Sequence, residues 1–144
     1  MKNIISSKTF LIIMTIILII IIIFFVYNSK LFNNMVITGK NGEKIKIYNI
    51  EKLKNIEKIN NTDIMLEDTP EFSISFYKPD QSFAISIMSK NFGDSRQKSE
   101  KRFLEILGIS SKEACNLKVT LGTPVFVNAE YAGGNYGLSF CLPK

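Results

Sequence analysis

Cys115 and Cys141 are the only cysteines in a chain of 144 residues that contains no histidine. Without histidine there is no Ser-His or Cys-His nucleophile pair, no imidazole general base and no imidazole metal ligand. Two cysteines fall short of a usual zinc set, so neither a metal nor a cofactor is expected. Ser95-Arg96-Gln97-Lys98 has the S-x-x-K spacing of serine–lysine acyl enzymes, but no S-D-N or K-T-G companion occurs. Glu67 and Asp68 stand next to each other in what reads as a loop, with nothing to set one as acid and the other as base. Gly133-Gly134 and Gly137 lack the spacing and the following helix of a dinucleotide fingerprint. No catalytic residue is assigned, and an enzyme is not expected.

The formal charge of +5 points to no particular partner. Lys2, Lys8 and Lys30 supply three of those charges, leaving 15 basic and 13 acidic groups in residues 31–144. Nucleic acid asks for a concentrated basic face and is not an expected partner. Within the later part, Lys40 to Lys58 holds six lysines against three acids, whereas Asp63 to Asp80 holds five acids against Lys78. A solvated face accounts for the basic stretch more simply than anionic headgroups do.

The elements that position these residues begin with an apolar run. Residues 10–27 read FLIIMTIILIIIIIFFVY, broken only by Thr15. At the helical rise they cover about 27 Å, close to the hydrocarbon core of a bilayer. A signal peptide would have a shorter apolar region and a small-x-small cleavage site, which this one lacks. The expectation is an uncleaved transmembrane helix over 10–27, after a short basic N-terminus at 1–9 and before a juxtamembrane linker at 28–34. It holds no Asp, Glu, Lys, Arg or His and no glycine, so it offers neither a proton relay nor a GxxxG face. Flanking lysines do not set the orientation. Even cysteine usage favours a cytoplasmic N-terminus with the later domain outside, in a single-pass membrane protein.

Residues 35–144 read as a small extracytoplasmic α+β domain: two hairpins and a C-terminal strand pair, packed against one main helix. Met35–Thr38 and Glu43–Tyr48 flank a turn at Gly39 to Gly42, and Asn49 caps a short helix through Ile59. Asn60 to Pro70 is loop-like, with Ile64 and Leu66 marking a brief strand at most. Phe72, Ile74 and Phe76, then Phe83, Ile85 and Ile87, alternate around a Pro-Asp turn and predict an antiparallel hairpin. Asp94 caps the main helix, which buries Phe103, Leu104 and Leu107 and ends at Gly108. Ser110-Ser111-Lys112-Glu113 predicts a capping box. Leu117–Thr123 is a strand, Val125–Val127 continues extended, and Tyr136–Leu142 is the last strand.

Antiparallel pairing of those last two strands would bring Cys115 beside Cys141. A disulfide across their separation of 26 residues would contribute about 3–3.5 kcal/mol on the chain-entropy estimate. The alternative is two buried free thiols.

Leu107-Gly108-Ile109-Ser110, then Ala114-Cys115, Tyr131-Ala132-Gly133 and Leu138-Ser139-Phe140-Cys141 carry a resemblance. The chain over residues 72–142 resembles short single-span membrane proteins of candidate-phyla (Patescibacteria-type) bacteria. That resemblance implies an architecture and a surface habitat, with no activity or binding residue. The function expected is a membrane-anchored protein-interaction or envelope-assembly module, with the lipid bilayer and an envelope protein as partners. The alternatives are an anchored hydrolase using Ser95 and Lys98, or a surface protein that captures nucleic acid or another polyanion.

Overall fold

The computed structural model describes residues 7–32, 34–53, 57–58 and 62–141. Expectations that fall on residues 1–6, 33, 54–56, 59–61 and 142 lie outside them. The chain divides into two units, Met1–Asn34 and Met35–Lys144.

The first unit is the helix α1 (Ser7–Phe32). The Thr15 hydroxyl donates to the Leu11 and Ile12 carbonyls at 3.2 and 2.8 Å, bonding back onto its own preceding turn. Here the expected transmembrane helix is corrected: among the described residues no helix is long and apolar enough to cross a membrane. Side chains of α1 are described from Leu11 to Phe24. Every one of these side chains is exposed.

The second unit opens with β1 (Asn34–Thr38) and β2 (Lys44–Tyr48), a two-stranded sheet. Gly42 N–H donates to the Gly39 carbonyl, and the left-handed φ of 80° at Gly42 returns the chain into β2. Ile37, Ile45 and Ile47 point inward, while Val36, Lys44, Lys46 and Tyr48 are exposed. Among the described residues, the helix expected from Asn49 to Ile59 is a 3-10 turn, Ile50–Lys52. Asn49 does cap it, but Leu53 is already extended, and Glu57 and Lys58 form the short strand β3 against the next strand. Pairing with a neighbour prevails over helical spacing that is only four isoleucine and leucine residues deep.

That neighbour, β4 (Asp63–Asp68), replaces the expected loop. Ile64 and Leu66 face the core, so their alternation was the signal and the surrounding acids obscured it. β4, β5 (Phe72–Tyr77) and β6 (Ser82–Ile87) then form an antiparallel meander. Phe76 pairs with Phe83 in register, their rings 4.9 Å apart, and Phe83 meets Phe103 edge-on at 5.2 Å. In the β5–β6 loop Gln81 adopts φ 55°, a conformation that costs an L side chain energy. Its Oε1 accepts the Thr38 N–H at 2.6 Å and so ties β1 to the larger sheet.

α2 (Phe92–Leu107) begins earlier than expected: Asn91, not Asp94, is the N-cap. Phe92, Phe103, Ile106 and Leu107 are buried, while Leu104 is only half-buried. Gly108 ends α2 in the left-handed region, φ 64°, with the Tyr48 ring lying where a Cβ would be. α3 (Ser111–Ala114) follows, with the capping box between Ser110 and Glu113 in place. The chain then enters β7 (Lys118–Gly122), which pairs parallel to β6 and gives the sheet order β3-β4-β5-β6-β7. A parallel neighbour requires a long crossover, and residues 88–117 supply it with α2 and α3. The expected C-terminal strand pair is absent; after β7 the described residues hold no strand, only an isolated bridge between Thr123 and Ala132, turns, and a 3-10 turn at Ser139–Cys141. One hydrophobic core, from Ile37 to Leu138, lies wholly in the second unit, which therefore has the means to fold without residues 1–34.

The capping box has a pH signature. The Ser110 hydroxyl, and then its backbone N–H, donate to the Glu113 carboxylate and hold it below the ordinary glutamate value of 4.5. Stability from this pair is full above that value and is lost as pH falls through the lower folded pKa. Urea unfolding across acid pH should therefore show a shallower acid-side loss in Glu113→Gln than in the natural chain.

Candidate interaction site

Among the described residues after β7 there is no regular strand, so their backbone groups need other partners. α2 provides them. Arg96 and Glu100, one turn apart, form an ion pair at 3.0 Å with side chains 16 % and 5 % exposed. The Arg96 guanidinium also donates to the Tyr136 and Gly137 carbonyls at 3.0 and 2.9 Å. Glu100 accepts the Ser139 N–H at 2.7 Å and the Ser139 hydroxyl on its other oxygen. Each charge is neutralised by the other and then used to satisfy loop backbone.

The free edge of β7 is closed by the same segment. Leu121 N–H donates to Asn135 Oδ1 at 3.0 Å, and Tyr136 N–H donates to the Leu121 carbonyl at 2.8 Å. The Asn135 side chain thus does for the edge strand what another strand would do. Phe92 stacks on Tyr131, centroids 4.6 Å apart, and Tyr136 closes on Phe92 at 4.9 Å. This explains why Tyr136 to Cys141 is not a strand despite its alternation. Its Tyr136 and Gly137 carbonyls and Ser139 N–H are bound by side chains of α2, and Gly133 and Gly137 take left-handed φ values of 78° and 56°.

A disulfide joins Cys115 and Cys141, S–S 2.03 Å and Cα–Cα 5.4 Å. The geometry that brings them together differs from the strand pair expected. Cys115 caps the C-terminus of α3, and Cys141 ends the 3-10 turn packed beside it. Both sulfurs are bonded, so neither is available as a thiolate nucleophile or metal ligand.

The layer so held presents one conspicuous feature. After β7, Thr123 is buried and its hydroxyl donates to the Ile87 carbonyl at 2.8 Å. Pro124 to Asn128 then forms a turn, not the extended continuation expected at Val125–Val127. Val127 and Asn128 N–H both donate to the Pro124 carbonyl, and Asn128 Nδ2 donates to the Lys90 carbonyl at 3.2 Å. Val125 and Phe126 stand at its tip, 68 % and 78 % exposed. The two side chains form an exposed apolar tip on a hydrogen-bonded turn.

The residues of the other readings lie apart. Ser95 is buried at 2 %, whereas Lys98 points outward and its Nζ binds both oxygens of Glu71 at 2.9 and 2.7 Å. The S-x-x-K spacing thus brings no amine to the serine. Glu67 lies in β4, bound to Arg102, and Asp68 ends that strand. Several basic side chains are matched locally: Lys78 with Glu51, Lys98 with Glu71, and Arg102 with Glu67 and Glu105.

Spacing alone could have flagged Arg96 and Glu100 as an i,i+4 pair. Their role as a clamp on residues 136–139 had no signal in sequence. No protein-family model, curated protein or solved structure matches this chain.

Removing one member of the clamp should leave the other charged and poorly paired. Glu100→Ala is expected to cost roughly 3 kcal/mol, the low end for a broken buried pair because Arg96 retains some exposure. Urea unfolding gives the total. Hydrogen exchange at the Leu121 and Ser139 amides should accelerate first, and the double variant Arg96→Met/Glu100→Leu should lose less stability than Glu100→Ala.

Proposed function

We propose that residues 35–144 form a protein-interaction or envelope-assembly module that works outside the cytoplasm, with Phe126 as its anchor. The observation that carries this reading is the exposure of Val125 and Phe126 on a turn whose backbone is already bonded in place. Burying Phe126 in a partner's pocket would contribute about 2 kcal/mol, and little ordering entropy opposes it because the turn is pre-organised. The exposed acid Glu130 nearby makes this tip a poor match for an anionic membrane and a better one for a protein pocket. The Cys115–Cys141 disulfide supports an oxidising compartment.

A photoreactive phenylalanine analogue at position 126, in growing cells, should crosslink to one recurrent protein. The same analogue at position 77, an exposed aromatic site elsewhere on the sheet, should not. Diffuse products of equal intensity from both positions would remove the anchor. For the compartment, a membrane-impermeant thiol reagent applied to intact cells should label Cys115 and Cys141 only after reduction. Labelling that needs lysis but no reductant would place the domain on the inside.

A further inference from the structure

The outward face of the β1–β2 sheet is chemically unlike the rest of the domain. Inward-pointing Ile37, Ile45 and Ile47 leave Val36, Lys44, Lys46 and Tyr48 together on the opposite, exposed side. Alternation along β2 sets the two lysines about 7 Å apart on one strand. Neither forms an ion pair or side-chain hydrogen bond among the described residues, whereas Lys78, Lys98, Arg96 and Arg102 all face carboxylates. Their neighbour Glu43 is turned away, with Oε2 accepting the Asn41 N–H at 3.0 Å.

The apolar members of the face narrow the choice of ligand. Val36 is 56 % and Tyr48 48 % exposed, so the cations stand beside aliphatic and aromatic surface. The Tyr48 ring rests on Gly108, which covers one side of it and makes it a poor base-stacking platform. Lysine, valine and tyrosine on one flat face match a membrane interface. There, ammonium groups meet headgroup phosphates while the tyrosine body and the valine sit at the level of the glycerol.

We propose that this face docks on anionic phospholipid headgroups, with Lys44 and Lys46 as the phosphate-binding pair and Val36 and Tyr48 as shallow apolar contacts. It goes beyond the protein-partner reading and uses different residues, so either can fail without the other. Each lysine close to an anionic surface should strengthen partition about fivefold, and the attraction should fade with salt.

The test uses residues 35–144, whose core is complete in itself, after cooperative urea unfolding has shown the fragment folded. Vesicles of phosphatidylglycerol and phosphatidylcholine in equal parts should sediment it, and vesicles of phosphatidylcholine alone should not. Lys44→Ala/Lys46→Ala should weaken partition by about twenty- to thirtyfold at unchanged melting temperature. The control Lys90→Ala/Lys101→Ala should change it little. Tyr48→Ser, at an exposed position, should weaken it further and more at high salt. The proposal is overturned by equal binding to both vesicle types, by no binding to either, or by equal losses in the two double variants. Tighter binding to an oligothymidylate than to the anionic vesicles would overturn it too, assigning the face to nucleic acid.

Discussion

The architecture of the C-terminal third depends on one buried ion pair. Arg96 and Glu100 sit on α2 beneath a segment that, among the described residues, has no strand to satisfy its own backbone. Taking two charges out of water is costly, and their mutual attraction offsets that only when every remaining polar group is bonded. Here the guanidinium reaches two carbonyls and the carboxylate takes both donors of Ser139. The pair therefore exchanges its hydration for the backbone of residues 136–139. That exchange keeps Asn135 and Tyr136 against β7, closes the sheet edge and carries Cys141 to Cys115.

The same constraint explains the shape of the sheet. With the C-terminal segment held as an edge cover, β7 has one strand neighbour, β6, and runs parallel to it. Parallel pairing sends the chain across the core in α2 and α3 before it returns. α2 is thus both the lid on the inner sheet face, through Phe103 and Leu107, and the scaffold for the loop layer, through Phe92, Arg96 and Glu100. The turn at Pro124 to Asn128 issues from this doubly fixed region, with its own backbone bonded to Pro124 and its base to Lys90. On the far side, the outer sheet face carries small residues such as Ser73, Ala84 and Ser86.

Local chemistry was legible wherever it was self-contained. The alternation of residues 72–87 pairs as β5 and β6 because the period-two pattern puts six bulky side chains on one face. The Ser110–Glu113 box and the Gly108 cap are satisfied within a few residues and follow from residue types alone. Legibility failed where a distant partner decided. Residues 50–59 have helical spacing, but β4 offers an edge that draws Glu57 and Lys58 into a strand. Acids around Ile64 and Leu66 disguised β4 itself. The apolar run at 10–27 promised a spanning element that the described part of α1 does not supply. For the candidate site, the cysteines were visible at once. The exposed tip at Phe126, by contrast, read as ordinary extended chain, because solvent exposure is not written in residue type.

By itself, the sequence determined the chemistry available to this protein. Lacking histidine, it has no imidazole chemistry, and its few motif-like spacings bring no companions. It also determined the β1–β2 and β5–β6 hairpins, the Gly108 cap, the Ser110–Glu113 box and the presence of two thiols, since each depends on residues close along the chain. Only the tertiary structure decided that β7 lies parallel to β6, that Tyr136 to Cys141 is a clamped loop, and that the thiols meet between α3 and the final turn. Those outcomes rest on backbone groups seeking partners forty residues away, and no local pattern records which side chain will reach them.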